Sequence, residues 1–281
     1  MNNIPDNTVK YLNFLNLKLE KPSYNYLEQI CQAQLNTFPF ENISKLLYFR
    51  NNNYKAFKLP TLELFTKNFS QYNFGGTCYT LNSNLLILLR EIGFDCYHVM
   101  LGEEHMGIIV KIDKERFYVD CGAAAPFFKP VCFENDFENI SHFGKDEVYL
   151  LPVDPHCNRY KYVRYTNGKQ SGKTWHFHSR KEARVSDFHE VIKNSNKPNA
   201  PFMTILRCHL YQTAKHRSVS LVNNKFGIRN SKGETVVRAL SSTEEISTVL
   251  EEEFKLPKLP VKEAIEVLET LNIDIFAENA Q

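Results

Sequence analysis

The sequence lacks a long apolar run, a large excess of charge of either sign, and the glycine-rich loops that bind nucleotides. No stretch of its 281 residues comes near the roughly 18 consecutive apolar residues that a membrane-spanning helix needs. The net charge of +2 is too small to indicate binding to nucleic acid. Neither a GxGxxG nor a Walker loop is present, so no dinucleotide or P-loop site is expected. These absences predict no membrane and no nucleic acid among its partners.

Cysteine occurs seven times, but no two cysteines form a CxxC motif. The number is odd, and the N-terminal sequence has no basic segment followed by an apolar block, as a secretory signal would. Without such a signal, a disulfide framework is not expected. The sequence therefore predicts a cytoplasmic protein with reduced thiols, one of which can be reactive.

The composition is that of a folded chain, with 43% hydrophobic and 23% charged residues. Its length suits about two domains or one large domain. Helical spacing of apolar residues dominates the first third of the chain. A period near two follows from Cys96 to about Tyr165, and mixed helical and strand patterns complete the chain. That order favours an α+β fold over a doubly wound parallel sheet.

Short local signals mark where helices begin and where strands turn. Ser23 and Thr61 stand before apolar helical patterns, as residues at helix starts do, and Ser242–Glu245 fits a capping box. β-branched and aromatic residues predict a hairpin whose strands are 107–112 and 117–119.

The segment Gly75-Gly76-Thr77-Cys78 is the sharpest local feature, because it leads directly into an apolar helical pattern. A helix start presents free N–H groups and a partial positive charge, which favour a thiolate over a thiol. The two glycines allow a tight turn that exposes the sulfur. A nucleophile would be placed here, although a buried cysteine after a Gly-Gly turn is the simpler interpretation of this segment alone.

A nucleophilic cysteine needs a base and a group that orients the base. His105 precedes the first hairpin strand and Asp120 ends the second, so both lie towards one end of a two-stranded unit. A two-residue loop at 112–113 would pair them directly, whereas a four-residue turn would offset them, and the sequence leaves the register open. Taken singly, each is more simply a surface histidine or a turn carboxylate.

Further motifs accompany these residues in a fixed order along the chain. They are Pro39-Phe40-Glu41-Asn42, the segment 60–64, Gly-Gly-x-Cys, Gly93-Phe94, His105 and Tyr118-Val119-Asp120-Cys121-Gly122. Together they resemble the arylamine N-acetyltransferase family. The resemblance covers roughly residues 5 to 135 well and 200 to 255 loosely.

The resemblance implies a three-part α+β fold. The parts are an N-terminal helical bundle (1–94) carrying the nucleophile, a central β-barrel (95–195) carrying the histidine and aspartate, and a C-terminal α/β lid (196–281). It also implies a catalytic triad of Cys78, His105 and Asp120, arranged as in cysteine proteases.

The reaction implied by the resemblance is a two-step acetyl transfer without a metal. Cys78 takes the acetyl group from acetyl-CoA as a thioester, and an arylamine, hydrazine or hydroxylamine accepts it. His105 would move the protons, Asp120 would fix the imidazole, and backbone N–H groups at the helix start would hold the oxyanion. The expected partners are therefore coenzyme A and a small aromatic amine or hydrazine.

The same resemblance assigns residues to two binding regions. Those assigned to the acceptor pocket are Phe40, Ala123, Ala125 and Phe127. Those assigned to coenzyme A are Gly102, Phe202 and Thr204. Three consecutive alanines suggest a roomy acceptor pocket, although packing in the core is the simpler role for the aromatic rings.

Other polar groups carry weaker signals. His176 and His178 would share one strand face, but no third residue is spaced to complete a metal site, so none is expected. Cys96-x-His98 is a rival nucleophile pair that lacks a glycine-rich approach and a helix start. The basic cluster 215–217 is most simply a solvated loop, with contact to coenzyme A phosphates as the alternative.

The sequence departs from the family pattern Arg-Gly-Gly-x-Cys-x-Glu-Gln-Asn around the nucleophile. Phe74, Thr80 and Leu81 replace the arginine, glutamate and glutamine, and Asn82 is kept. The missing arginine is the expected partner of Glu41, so Glu41 must find another cation, face water or take a proton. Two alternatives follow: an amide synthase or thiol hydrolase that uses the same triad with another acyl donor, and a catalytically weak binding homologue.

Overall fold

The computed structural model describes residues 4–277 and has an α+β fold, which confirms the predicted class. The α-helices of this range are α1 (Asp6–Phe14), α2 (Tyr24–Thr37), α3 (Ile43–Asn51), α4 (Leu62–Tyr72), α5 (Cys78–Glu91), α6 (His189–Ser195), α7 (Thr243–Glu252) and α8 (Val261–Thr270). The strands are β1 (Phe40–Glu41), β2 (Asp95–Leu101), β3 (His105–Ile112), β4 (Glu115–Val119), β5 (Ser141–Phe143), β6 (Asp146–Asp154), β7 (Arg159–Thr166), β8 (Lys169–Gln170), β9 (Trp175–His178), β10 (Arg207–Gln212), β11 (Arg217–Val222), β12 (Lys225–Asn230) and β13 (Thr235–Ala239). In this part of the chain, no helix has both the length and the apolar composition needed to cross a membrane.

Side-chain caps confirm three predicted helix starts. Ser23, Thr61 and Ser242 each accept a hydrogen bond from the N–H three residues later, at the starts of α2, α4 and α7. The start of α5 differs, because the side chain of Thr77 before it makes no capping hydrogen bond. The first N–H groups of α5 are therefore left without a side-chain cap.

The middle of the chain forms two antiparallel sheets, so residues 4–277 contain no closed barrel where the resemblance implies a central β-barrel. β2, β3 and β4 pair in that order, while β5 to β8 form a second sheet with β9 added on β7. Bridges from Ala183 to His98 on β2 and from Val131 to Tyr118 on β4 engage the outer strands of the first sheet. Within residues 4–277 those strands therefore pair with loops and not with the second sheet. The two sheets meet through apolar side chains of β2, β3, β6 and β9.

The hairpin of β3 and β4 brings two predicted site residues to one end of its sheet. A two-residue turn joins the strands, with Ile112 opposite Glu115. This register lies midway between the two alternatives considered from the sequence. Asp120 follows directly after β4, and His105 begins β3. Their side chains therefore leave neighbouring strands at the same end.

The third sheet links the first part of the chain to the last. β1 pairs antiparallel with β10, with Phe40 opposite His209, and β11, β12 and β13 follow in order. Helices α3, α7 and α8 share one apolar core with this sheet. The domain boundaries after residues 94 and 195 stay predictions, but β1 already places a strand from the first part in the sheet of the last.

Candidate active site

Cys78 is the first residue of α5, which follows a glycine loop packed against β1. Gly75 lies so close to Pro39 that a Cβ on it would be 1.9 Å from the Pro39 carbonyl oxygen. Gly76 has a φ of +140°, which residues with side chains rarely adopt, and its carbonyl accepts a hydrogen bond from the N–H of Glu41. The loop can follow this path only with glycine at both positions, and the path fixes where α5 begins.

Asp120 accepts hydrogen bonds from several groups that fix its orientation. Nε2 of His105 lies 2.6 Å from Asp120 Oδ2, and the Tyr118 hydroxyl donates to the same oxygen at 2.8 Å. The side-chain amide of Asn82 and the N–H of Gly122 donate to Oδ1 at 2.8 and 3.0 Å. Both Asp120 and His105 are buried. The carboxylate therefore holds the imidazole in one place.

Asp120 and His105 each stay charged because of the other. Burial would raise the pKa of Asp120, but the His105 imidazolium and two side-chain donors hold it below its ordinary value. Burial would lower the pKa of His105, but the charge and hydrogen bond of Asp120, helped by a hydrogen bond with Cys78, raise it to about 10. At neutral pH the pair is an imidazolium and a carboxylate. Since Nε2 faces Asp120, Nδ1 is the ring nitrogen left for the sulfur of Cys78.

The cleft beside Cys78 has a volume of about 480 Å³ and brings together five of the predicted site residues. They are Phe40, Cys78, His105, Ala123 and Phe202. The rings of Phe40 and Phe202 meet edge to face, with centroids 5.3 Å apart. The cleft thus combines a thiol, an imidazole and aromatic surface, which suits an apolar ligand that reacts at the sulfur.

Trp175 is a cleft residue that sequence reasoning missed. Its indole lies parallel to the His105 ring, with centroids 4.6 Å apart and an interplanar angle of 5°. Gly102, assigned to coenzyme A, does not line the cleft but lies behind this indole, where a Cβ would be 2.5 Å from Trp175 Cδ1. The one signal available was that Trp175 is the single tryptophan of the chain.

Three other assigned residues do not line the cleft. Ala125 and Phe127 are buried in the core between the two middle sheets, where the rings of Phe127 and Tyr118 have centroids 5.3 Å apart. The Thr204 hydroxyl donates to the Pro201 carbonyl at 3.2 Å. The structure gives these side chains packing or local roles, so their contact with acceptor or coenzyme A rests on the resemblance alone.

The weaker polar signals also lie away from the cleft. His176 and His178 are exposed on β9, and the described residues contain no group of three or more His, Cys, Asp or Glu side chains placed to hold a metal. From the basic cluster, Arg217 donates to Gln212 at 2.7 Å and to Glu253 at 2.9 Å. Arg217 therefore ties β11 to the end of α7.

The rival pair Cys96 and His98 lies on β2 in surroundings that suppress its chemistry. Burial raises the pKa of the Cys96 thiol to about 12 and lowers the pKa of His98 to about 4. At physiological pH the pair is a neutral thiol and a neutral imidazole. Because the thiolate is the reactive form of cysteine, this pair is a poor candidate for a nucleophile and its base.

Glu41 shows how the chain accommodates the missing arginine. The carboxylate is fully buried and accepts hydrogen bonds from the N–H and hydroxyl of Ser44, at 2.8 and 2.6 Å. Burial raises the pKa of Glu41 to about 7, so of the three options considered, taking a proton is the one favoured near neutral pH. The ring of Phe74 stacks on Tyr72 and meets Tyr48 edge to face, which fills the arginine position with aromatic packing.

Lys45, on α3, is a second cleft residue that sequence reasoning missed. It is 5% exposed, and its Nζ donates to the Ser195 hydroxyl at 3.2 Å. Burial lowers the pKa of Lys45 to about 8, and the charge of Cys78 opposes that shift. Within residues 4–277 no carboxylate lies within ion-pair distance of Lys45. A single lysine in a helix usually faces solvent, so no pattern in the sequence marks it.

Comparison with known proteins relates the sequence and the fold to one group of enzymes. A model of the N-acetyltransferase family matches residues 23–263, whereas comparison with curated proteins gives no match. The fold is similar to that of the arylamine N-acetyltransferase from Salmonella typhimurium, with a TM-score of 0.78, 16% identity, and 96% of this chain and 99% of that one covered.

Two mycobacterial structures also share this fold. The arylamine N-acetyltransferase from Mycobacterium abscessus has a TM-score of 0.75 and 16% identity, covering 95% of each chain. That from Mycobacterium marinum, solved in complex with CoA, has a TM-score of 0.75 and 15% identity, covering 94% of this chain and 97% of that one. At such low identity these structures establish the fold alone, while the family model accounts for most of the sequence.

Proposed function

Because the chain belongs to the arylamine N-acetyltransferase family, whose members are acyltransferases, we propose that it moves an acetyl group from acetyl-CoA, through a thioester on Cys78, to an arylamine, hydrazine or hydroxylamine. The observation that carries the proposal is the convergence of Cys78 and His105 on one cleft, with Asp120 2.6 Å from the imidazole. A nucleophile, a base and an orienting carboxylate are the groups that acyl transfer through an enzyme thioester requires.

In the first half-reaction the Cys78 sulfur attacks the thioester carbonyl of acetyl-CoA. A carbon–sulfur bond to Cys78 forms, and the carbon–sulfur bond to coenzyme A breaks. Backbone N–H groups in the first turn of α5, where Thr77 provides no side-chain cap, hold the oxyanion that develops on the carbonyl. The His105 imidazolium gives its proton to the departing coenzyme A.

In the second half-reaction the nitrogen of the acceptor attacks the acetyl carbonyl on Cys78. His105, now neutral, takes a proton from that nitrogen, and the Cys78 sulfur leaves as a thiolate. Asp120 keeps the ring oriented and stabilises its charged form in both halves. The edge-to-face rings of Phe40 and Phe202 offer an aromatic acceptor a surface beside the thioester.

Two observations support coenzyme A as the carrier. The Mycobacterium marinum relative was solved in complex with CoA, and Phe202, one of the residues assigned to this contact, lines the cleft together with Cys78. The position of Phe202 is fixed by the side-chain amide of Asn42, which donates to the Phe202 carbonyl at 2.9 Å. The two remaining residues assigned to coenzyme A, Gly102 and Thr204, are left out of this proposal.

Intact-mass spectrometry after mixing with acetyl-CoA, without an amine present, tests the proposal. We expect one acetyl adduct that is absent from Cys78→Ala and that disappears when an arylamine is added. His105→Gln should slow adduct formation by at least about a hundredfold, because a general acid–base group contributes roughly 10²–10⁴ in rate.

Cys157→Ala is the matched control, since Cys157 is an exposed cysteine away from the cleft and its loss should leave the adduct in place. An adduct that persists in Cys78→Ala, or none at any acetyl-CoA concentration, contradicts the proposal. An adduct that decays to acetate as fast without an amine as with one assigns the protein to the thiol hydrolases instead.

A further inference from the structure

A narrow crevice, lined by both apolar and polar side chains, adjoins the cleft beside Cys78. It shares Lys45, Thr77, Tyr79 and Ser195 with the cleft and extends to Asn196. Its free volume of about 10 Å³ admits the centre of one water-sized group. An acetyl group ends in an apolar methyl, so the acetyl transfer proposed above makes no use of the polar groups in this crevice.

Two buried hydrogen-bond donors line the crevice without acceptors that match them. Lys45 is 5% exposed, and among the described residues its ammonium contacts only a neutral hydroxyl, that of Ser195. Asn196 is 3% exposed, and its side-chain Nδ2 is buried with no partner in the same part of the chain. A buried ammonium without an anion and a buried amide without an acceptor both cost free energy. The pair suits an anionic oxygen ligand.

The carboxylates nearest the cleft are engaged elsewhere. Glu41 accepts hydrogen bonds from α3, and Glu104, which lines the cleft, is 2.5 Å from the exposed Lys173. The negative charge that Lys45 does sense is that of Cys78.

We propose that Lys45 and Asn196 bind the terminal carboxylate of a short dicarboxylic acyl group, malonyl or succinyl, carried on Cys78. The proposal rests on the thioester mechanism above and names a class of acyl donor for the same site. A carboxylate at the far end of the acyl group would give the buried Lys45 ammonium a charged partner and the Asn196 amide an acceptor. The small crevice favours a short acyl group.

The bonds made and broken are those of the acetyl reaction. The acyl carbon exchanges the coenzyme A sulfur for the sulfur of Cys78, and His105 protonates the departing coenzyme A. The distal carboxylate stays ionised throughout and neither gains nor loses a bond, so its contribution is to binding and orientation.

The test compares adduct formation from malonyl-CoA and acetyl-CoA by intact-mass spectrometry, without an acceptor. In Lys45→Met, which keeps the length of the side chain but removes its charge, the malonyl-to-acetyl rate ratio should fall by about tenfold or more. Asn196→Leu should lower the ratio by a smaller factor. Lys193→Met is the matched control: Lys193 lies on the same helix as Ser195 but does not line the cleft, is 56% exposed and pairs with Glu190, so the ratio should stay within about twofold.

The other results separate the possible roles of Lys45. An unchanged ratio in Lys45→Met overturns the proposal, as does a wild-type protein that forms an acetyl adduct but neither a malonyl nor a succinyl adduct. Equal loss of both adducts would mean that Lys45 supports the reactivity of the Cys78 sulfur whichever acyl group it receives. That result also overturns the proposal. If Lys45→Met alters the preference between 4-aminobenzoate and aniline but not the donor ratio, the carboxylate belongs to the acceptor and the donor proposal fails.

Two further measurements distinguish an unfolded variant and an inactive wild type from failure of the donor proposal. Replacing a buried, unpaired ammonium by an apolar side chain is often neutral or stabilising, and a thermal melt of Lys45→Met checks that the variant is folded. Absence of every adduct in the wild type refutes the thioester mechanism itself, which distinguishes that failure from failure of the donor class.

Discussion

The electrostatics of the cleft depend on one residue, Asp120. His105, Tyr118, Asn82 and Gly122 all donate to its carboxylate, which is why it is ionised although fully buried. Its charge keeps His105 protonated to a pH well above the ordinary range of histidine. The protonation state of one ring is therefore set jointly by β3, β4 and α5.

The fluorescence of Trp175 is expected to report the charge on His105, because the two rings stack and the chain has no other tryptophan. When the pH of the wild-type protein is raised, the emission should change with an apparent pKa well above about 6.5, the ordinary value of histidine. In Asp120→Asn the charge that raises this pKa is lost while burial remains, so the transition should move below that value. A fluorescence titration of both proteins measures the shift.

Urea unfolding over the same pH range gives the matching stability measurement. Because the folded-state pKa of His105 is raised, its contribution to the free energy of unfolding is complete below about pH 6.5 and is lost as the pH rises towards 10. Asp120→Asn should lack this loss. His176→Gln, an exposed histidine beside Trp175, is the control and should titrate like the wild type. A wild-type transition near the ordinary histidine value contradicts the assignment of charge to the pair.

Residues of the site differ in how far the sequence could reveal them. Cys78 stands after a Gly-Gly turn at a helix start, and His105 and Asp120 flank one hairpin, so each carries a local signal. Lys45 and Trp175 carry no local signal of this kind, since they reach the cleft from α3 and β9 only through the tertiary fold. Such long-range packing is not encoded in spacing along the chain.

At the scale of elements, the loop before α5 decides where the nucleophile stands. Gly75 packs against Pro39, and Gly76 exchanges hydrogen bonds with the backbone around β1. The helix can therefore begin at Cys78 only if the chain approaches β1 more closely than a side chain allows.

Gly75→Ala is expected to displace this loop, because the added Cβ would lie 1.9 Å from the Pro39 carbonyl oxygen. Overpacking of this kind lowers the free energy of unfolding by roughly 1–3 kcal/mol. The displaced helix start should also slow alkylation of Cys78 by iodoacetamide and formation of the acetyl adduct. Denaturant unfolding and intact-mass kinetics measure the two effects.

Gly168→Ala is the control for the Gly75 variant. Gly168 has a φ of +72° but no atom within 4 Å of an added Cβ, so its substitution should cost roughly 1–2 kcal/mol from backbone strain and leave Cys78 reactivity unchanged. If Gly75→Ala loses stability while the sulfur reacts at the wild-type rate, the loop does not position the nucleophile.

Element boundaries were more predictable from the sequence than element pairing. Capping side chains announce the starts of α2, α4 and α7, and β-branched residues announce β3 and β4. The register of that hairpin fell between the two alternatives considered, because the turn consists of Asp113 and Lys114, with Asp113 in the left-handed region at φ 55°. Barrel closure depends on which partner takes the edges of β2 and β4, and here loops take them, which no local pattern signals.

For the whole molecule, Asn42 joins the first part of the chain to the last. It lies after β1, and its side-chain amide donates to the carbonyls of Phe202 and Ile205 at 2.9 and 2.6 Å. Its side-chain oxygen accepts a hydrogen bond from the N–H of Arg207 at 2.7 Å. The start of β10 and the cleft residue Phe202 are therefore held by one buried side chain.

Asn42→Ala should weaken both the fold and the binding of acetyl-CoA. Two carbonyls and one N–H, all half-buried, lose their partner, so the free energy of unfolding should fall by about 1–3 kcal/mol. The KM for acetyl-CoA should rise more than kcat falls, because Phe202 loses its support while Cys78, His105 and Asp120 do not. Urea unfolding and steady-state kinetics measure the two effects.

Asn36→Ala tests whether the change in KM is specific to Asn42 or follows from any loss of contact between the first and last parts of the chain. The side-chain oxygen of Asn36 accepts hydrogen bonds from the N–H and hydroxyl of Thr213, at 2.8 and 2.9 Å, so it also joins the first part of the chain to the last, but neither residue lines the cleft. Its loss should lower stability by a smaller amount and leave the KM for acetyl-CoA unchanged. If both variants raise KM equally, the cleft responds to general loosening between the two parts, and the support of Phe202 by Asn42 has no separate role.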